Sequence, residues 1–188
     1  MTIKRLATLT LSAVLLTACG NSSSDGDKKS SSSSSEESNE KVITLNDIQT
    51  SPKAALKKAQ SVYSGQNLKG ISYEQHNGEW VYKIEQQKSN EESEVIVSDK
   101  DKALINKETE KENSVDSKEE FKYSDAINFK DAIKKGQKEV GGDDIKEWSL
   151  SKDDGKLVYD MDLKKGNTKY EVSVDAKNGK LLNSEKDN

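Results

Sequence analysis

The segment from Lys53 to Glu108 aligns with Lys130 to Glu185 at a constant offset of 77 residues, without a gap. Lys53-Ala54-Ala55-Leu56-Lys57-Lys58-Ala59-Gln60 answers Lys130-Asp131-Ala132-Ile133-Lys134-Lys135-Gly136-Gln137, and Gly78, Val81 and Tyr82 answer Gly155, Val158 and Tyr159. Roughly a third of the paired positions are identical, and most others keep their apolar or polar character, as expected of a repeated supersecondary unit. The chain must therefore fold one local unit twice. A unit of about 60 residues buries only about 60% of the surface its unfolded chain exposes, so the two copies are expected to touch.

Each unit opens with a helix signal. Ser51-Pro52 is an N-cap and first-turn pair, and Asn128 occupies the cap of the second unit with Asp131 three residues later. Ala55, Leu56, Ala59 and Val62 fall on one stripe, as do Ala132, Ile133, Gly136 and Val140, with Lys57, Lys58, Lys134 and Lys135 turned away. Gly65 and Gly141-Gly142 are the expected stops.

After each helix the period drops to two. Trp148 and Leu150, then Leu157, Tyr159, Met161 and Leu163, then Tyr170, Val172 and Val174 alternate with polar neighbours, separated by Asp154-Gly155 and Gly166-Asn167. The first unit repeats the scheme with Ile71 and Tyr73, Trp80, Tyr82 and Ile84, and Val95 and Val97. Asn178-Gly179 turns the second unit into a short last segment, Lys180-Leu181-Leu182. The expected fold class is α+β: two tandem α-β-β-β units, each one amphipathic helix on a small antiparallel sheet. The inward alternation of Trp80, Tyr82, Trp148 and Tyr159 assigns them to the core rather than to ligand stacking.

The ends bound where such a chain works. Lys4 and Arg5 followed by the apolar run Leu6 to Leu16 read as an export signal over residues 1–18. Leu16-Thr17-Ala18-Cys19 is similar to a bacterial lipobox, so Cys19, the only cysteine, is expected to carry a diacylglyceryl anchor and no disulfide. Two acyl chains suffice for stable attachment where one is marginal. Residues 19–40 are lipidated Cys plus a Ser-rich tether, with a root-mean-square reach of roughly 25 Å. Beyond it come a first domain over 41–108, a polar linker over 109–123 and a second domain over 124–188. Removal of Lys4 and Arg5 takes the formal charge from −4 to −6. That sign disfavours nucleic acid and anionic lipid head groups as partners of the folded part.

The ending Lys169-Tyr170-Glu171-Val172-Ser173-Val174-Asp175-Ala176-Lys177-Asn178-Gly179-Lys180-Leu181-Leu182 resembles the terminal strand and turn of PepSY domains. Asp131-Ala132-Ile133-Lys134-Lys135 and Asp154-Gly155-Lys156-Leu157-Val158-Tyr159 fit that family's helix start and hairpin. The resemblance is strong over Ser124 to Glu185 and weaker over Asp47 to Glu108, where Ser98-Asp99-Lys100-Asp101-Lys102 replaces the Asp-Ala-x-x-Gly turn. It implies a noncatalytic binding module, since such modules occur in propeptides of thermolysin-like peptidases and in envelope lipoproteins and have been proposed to restrain peptidases. It supplies no catalytic residue.

Nothing else in the chain supplies one. His76, the only histidine, falls in the turn Gln75-His76-Asn77-Gly78, with no second ligand for zinc. No Gly-x-Ser-x-Gly elbow presents a nucleophile. No cofactor is expected. The only carboxylates spaced to gather a cation are Asp160, Asp162 and Glu171 on the solvent face of two strands, without the fixed spacing of an EF-hand. Two functional readings stay open at this level. One is a membrane-anchored protein on the extracellular face that binds, and inhibits or regulates, a secreted or envelope peptidase. The other is a cation- or small-ligand-binding envelope lipoprotein.

Overall fold

Both helices begin where their caps place them. Ser51 Oγ accepts from the Ala54 N–H at 3.3 Å, and Asn128 Oδ1 accepts from the Lys130 N–H at 2.9 Å. Each cap satisfies one of the donors that a helix start leaves without an internal partner. The computed structural model describes residues 41–187. The export signal, Cys19 and the Ser-rich tether lie outside the described residues.

The chain runs β1 (Ile43–Thr44), α1 (Pro52–Val62), β2 (Asn67–His76), β3 (Glu79–Lys88), β4 (Glu91–Ser98), β5 (Leu104–Lys111), α2 (Phe129–Val140), β6 (Asp144–Asp153), β7 (Lys156–Lys165), β8 (Thr168–Asp175) and β9 (Leu181–Asp187). Each unit thus has a fourth strand beyond the three that alternation announces. β5 and β9 are sheet edges, and most of their residues are exposed, so they carry little apolar pattern to read. The hairpin turns match at the repeat offset: Asn77 and Gly78 in one copy, Asp154 and Gly155 in the other, all at positive φ, as a two-residue hairpin turn of this hand requires.

The two copies do not stand apart. All strands join one antiparallel sheet in the order β5-β4-β3-β2-β6-β7-β8-β9, with β1 also on β6. The seam is the pairing of β2 with β6, where Ser72 lies opposite Ser149, its own repeat equivalent. Ile71 opposite Leu150 and Tyr73 opposite Trp148 complete a register with internal two-fold symmetry. An axis through Ser72 and Ser149 perpendicular to the sheet carries one copy onto the other, so α1 and α2 cover the same face. Their buried stripes enter one continuous core with Ile71, Tyr73, Tyr82, Trp148, Leu150 and Tyr159.

The segments leading into the helices cross this axis. Ile43 and Thr44 pair with Ile145 and Asp144 of the second copy, and Phe121 bridges Leu68 of the first. The expected polar linker is consequently tied down. Gln87 Nε2 donates to the Asp116 carbonyl at 2.9 Å and to Glu120 Oε1 at 3.0 Å, Lys69 meets Glu119 at 3.3 Å, and Phe121 is buried. Isolated apolar residues such as Val115 and Phe121 in a charged stretch give no periodic signal, although Phe121 anchors the crossing.

Inside each copy one tyrosine fixes the start of the helix. Tyr82 Oη donates to the Thr50 carbonyl at 2.6 Å, and Tyr159 Oη donates to the Ile127 carbonyl at 2.8 Å, again 77 residues apart. Burial, the largest cause in both, holds the two phenols well above their ordinary range, so they remain donors. Replacing either by Phe leaves a carbonyl unpaired in the core, and Tyr82→Phe or Tyr159→Phe is expected to cost about 1–2 kcal/mol in urea unfolding. A loss below about 0.3 kcal/mol would remove the latch from the account. The crossing segments also make the copies interdependent. A fragment of residues 112–188 is expected to show no cooperative thermal transition where 41–188 does, because it exposes Trp148 and the seam edge of β6. A sharp melt of the fragment alone would refute the interlock.

Candidate functional site

The face of the sheet opposite the helices carries the carboxylates singled out from the sequence. Asp162 stands directly across from Glu171, which stands across from Glu185, and Glu147 extends the row on the other side. At the repeat offset, Glu85, Glu94 and Glu108 form the same row in the first copy. Cross-strand neighbours sit about 5 Å apart, which lays the acids along a line instead of converging them on a point. Among the described residues no group of three or more His, Cys, Asp or Glu side chains is arranged to hold a metal ion. Asp160 is one register step away and accepts from Ser173 Oγ at 2.5 Å, while Lys146 Nζ stands 3.7 Å from Asp162. Asp160, Asp162 and Glu171 therefore share a face and each has partners within the protein. His76 ends β2 opposite Glu79.

The acidic row is partly desolvated. Burial pushes the Glu85 carboxyl up to about 7, with Glu94 and Glu92 adding to the shift and Lys69 and Lys83 opposing it. Glu94 and Asp160 move in the same direction, again chiefly through burial.

The turn that departs from the PepSY pattern makes the same backbone path with different chemistry. Lys102 takes φ 62° where Gly179 takes φ 72°, and the Asp101 side chain accepts from the Ala103 N–H as Asn178 does from Lys180. Asp99 replaces Ala176. Its carboxylate, 3% exposed, accepts from the Thr50 N–H at 2.8 Å and the Gln49 N–H at 3.1 Å, and the Thr50 hydroxyl donates to its carbonyl. In the second copy a backbone bond from the Ile127 N–H to the Ala176 carbonyl does this work at 2.7 Å. Asp99 is thus a structural latch. The aromatic residues pack into or against the core as expected, Trp80 only partly buried: Tyr73 stacks on Trp80 at 5.3 Å within the first copy, Trp148 on Phe129 at 5.6 Å within the second, and Tyr73 meets Trp148 at 6.1 Å across the seam between copies.

Two surfaces remain open. The outer sides of β5 and β9 end the sheet, and each strand begins with an exposed apolar pair, Leu104-Ile105 and Leu181-Leu182, at equivalent positions of the repeat. The repeat offset was the signal that could have singled these out. A groove of about 530 Å³ lies between α1 and the turn before α2, lined by Lys53, Leu56, Lys57, Gln60, Tyr123, Ser124 and Ala126. Among the described residues no helix is long and apolar enough to cross a membrane.

The raised carboxyl of Glu85 makes a pH prediction with a definite sign. Its folded value lies above the ordinary 4.5, so the folded state holds more protons between about pH 4.5 and 7 and stability falls as pH rises through that window. Glu85→Gln is expected to melt higher than the native chain at pH 8, by of the order of 2 kcal/mol, and to lose that advantage below pH 4.5. Parallel melting curves for the two proteins from pH 4 to 8 would contradict the assignment.

Comparison with known proteins agrees with this architecture. The chain is 29% identical over 130 residues to the "Uncharacterized protein YkoJ" of Bacillus subtilis (strain 168), covering 69% of this chain and 70% of that one. Among solved structures it is similar to that of "a putative lipoprotein (CD1622)" from Clostridium difficile 630, with a TM-score of 0.69, 26% identity, and coverage of 77% of this chain and 99% of the other. The family model "PepSY: Peptidase propeptide and YPEB domain" matches twice, at residues 50–108 and 126–185, on the two halves related by the 77-residue offset. The chain belongs to the PepSY family, as a tandem pair of its domains merged into one sheet.

Proposed function

We propose that this protein is a lipid-anchored envelope protein on the extracellular face, whose fused PepSY modules bind a secreted or envelope peptidase and hold it inactive without chemistry of their own. The observation that carries the reading is the pair of equivalent open edges. Each PepSY copy ends in an edge strand, paired on one side only, with an exposed apolar pair, Leu104-Ile105 or Leu181-Leu182. An extended segment of a partner can add to such an edge through backbone hydrogen bonds, with side-chain contacts supplying specificity. Family membership supports the peptidase as partner, and the likeness to the Clostridium difficile protein supports the anchor at Cys19.

The lysines and glutamates of the same strands suit this role. Lys107, Glu108, Glu110 and Lys111 on β5 discourage indiscriminate strand pairing, a device that edge strands use against aggregation. The apolar pair sits at the start of the strand, ahead of these charges.

Titration of a thermolysin-like zinc peptidase with the folded chain tests the reading. Activity is expected to fall with added protein, and Leu104→Asp combined with Leu181→Asp to weaken the effect at least tenfold at unchanged melting temperature. Full peptidase activity at large molar excess, with no co-elution, would overturn it. The anchor is tested separately by palmitate labelling in a bacterial host, where label is expected on the native chain and absent after Cys19→Ser.

A further inference from the structure

The folded part is electrically two-faced. The carboxylate rows occupy the open face of the sheet. The helices cover the other face and turn lysines to solvent at positions the repeat duplicates: Lys53, Lys57 and Lys58 on α1, and Lys130, Lys134 and Lys135 on α2. None of these six amino groups makes an ion pair among the described residues, and α1 carries no acidic residue at all. Lys130 rests on the Phe129 ring at 5.9 Å, and Asp131 and Glu139 are the only acids on α2. A net negative chain thus presents a positive face, which a sum over the sequence conceals.

We propose that the α1–α2 face docks on an anionic lipid bilayer. Three features choose a bilayer over a protein partner. First, the exposed large apolar side chains, Leu104, Ile105, Leu181 and Leu182, all lie on edge strands, and the groove beside Leu56 on the helix side is flanked by Lys53 and Lys57, so that face meets a partner with charge ahead of apolar surface. Second, every cation on it is a lysine, and Arg5 is the sole arginine of the chain. Lysine acts as a mobile point charge that suits a diffuse array of phosphates, whereas fixed carboxylates are better matched by the planar fork of arginine. Third, the acidic sheet face is repelled by the same surface, so attraction and repulsion turn the domain the same way. Lying helix-side down would leave the edges β5 and β9 accessible from the side.

The test uses the processed chain from residue 19 with Cys19→Ser, so that no acyl chain contributes, and the reading at Cys19 stands or falls by its own labelling experiment. Vesicles of phosphatidylcholine alone and of phosphatidylcholine with phosphatidylglycerol are sedimented with the protein at low salt. Binding is expected on the anionic vesicles only, and it is expected to vanish when the Debye length is cut to about 4 Å or less with salt. Changing Lys53, Lys57, Lys134 and Lys135 to Gln is expected to lower the partition coefficient at least tenfold. Changing Lys88, Lys111, Lys156 and Lys186 to Gln removes the same charge elsewhere and is expected to leave it within twofold. Equal losses from both variants, or no binding to anionic vesicles at low salt, would overturn the proposal. Salt-sensitive self-association without vesicles would also overturn it, by assigning the helix face to the acidic sheet face of a second copy.

Discussion

The pairing of β2 with β6 decides almost everything else about this molecule. Each repeat alone has an amphipathic helix, four strands and too few buried side chains for independent stability. Joining equivalent strands in antiparallel register about Ser72 and Ser149 solves the problem for both copies at once. It places both helices on one face, stacks Tyr73 and Trp148 into a shared aromatic cluster with ring centroids 6.1 Å apart, and removes two edges from the sheet. The crossing segments at Ile43–Thr44 and Phe121 close each seam end with residues from the opposite copy.

The same symmetry organises the surface. Because the axis is perpendicular to the sheet, any feature of one copy appears on the same face in the other. Carboxylate rows therefore gather on the open face, the helix lysines on the other, and the exposed Leu-Ile and Leu-Leu pairs on the two outer edges. The inner face excludes water, and the open face retains it unevenly. Glu85 sits deep enough in its row for burial to push its carboxyl up to about 7. Duplication has turned one PepSY unit into half of a sheet with two distinct faces and two equivalent edges.

The helices and three strands of each copy were legible because their residues alternate between solvent and a single core, and period then reports burial directly. Ala55, Leu56 and Ala59, or Tyr159, Met161 and Leu163, leave little choice of face. β5 was not, and of β9 only the short segment at Leu181-Leu182 was, since an edge strand beyond most of the helix contacts needs few apolar residues. Asp99 was visible only as a departure from the family turn, and its burial against the Gln49 and Thr50 amides depends on a loop 49 residues distant. Asp160, Asp162 and Glu171 were placed on the right face, but whether acids converge is a matter of register and sheet twist, which spacing along one strand does not encode.

Local pattern by itself determined the repeat, its secondary structure, the inward-facing residues and the family, because these follow from neighbours within a few positions and from a fixed offset. Only the tertiary structure decided that the copies share one sheet, that the polar stretch between them is strapped down by Phe121, and that the carboxylate rows and the helix lysines lie on opposite faces. Those outcomes rest on pairings between residues far apart in the chain, and the free energy that selects them comes from burying both copies' apolar faces in a single core.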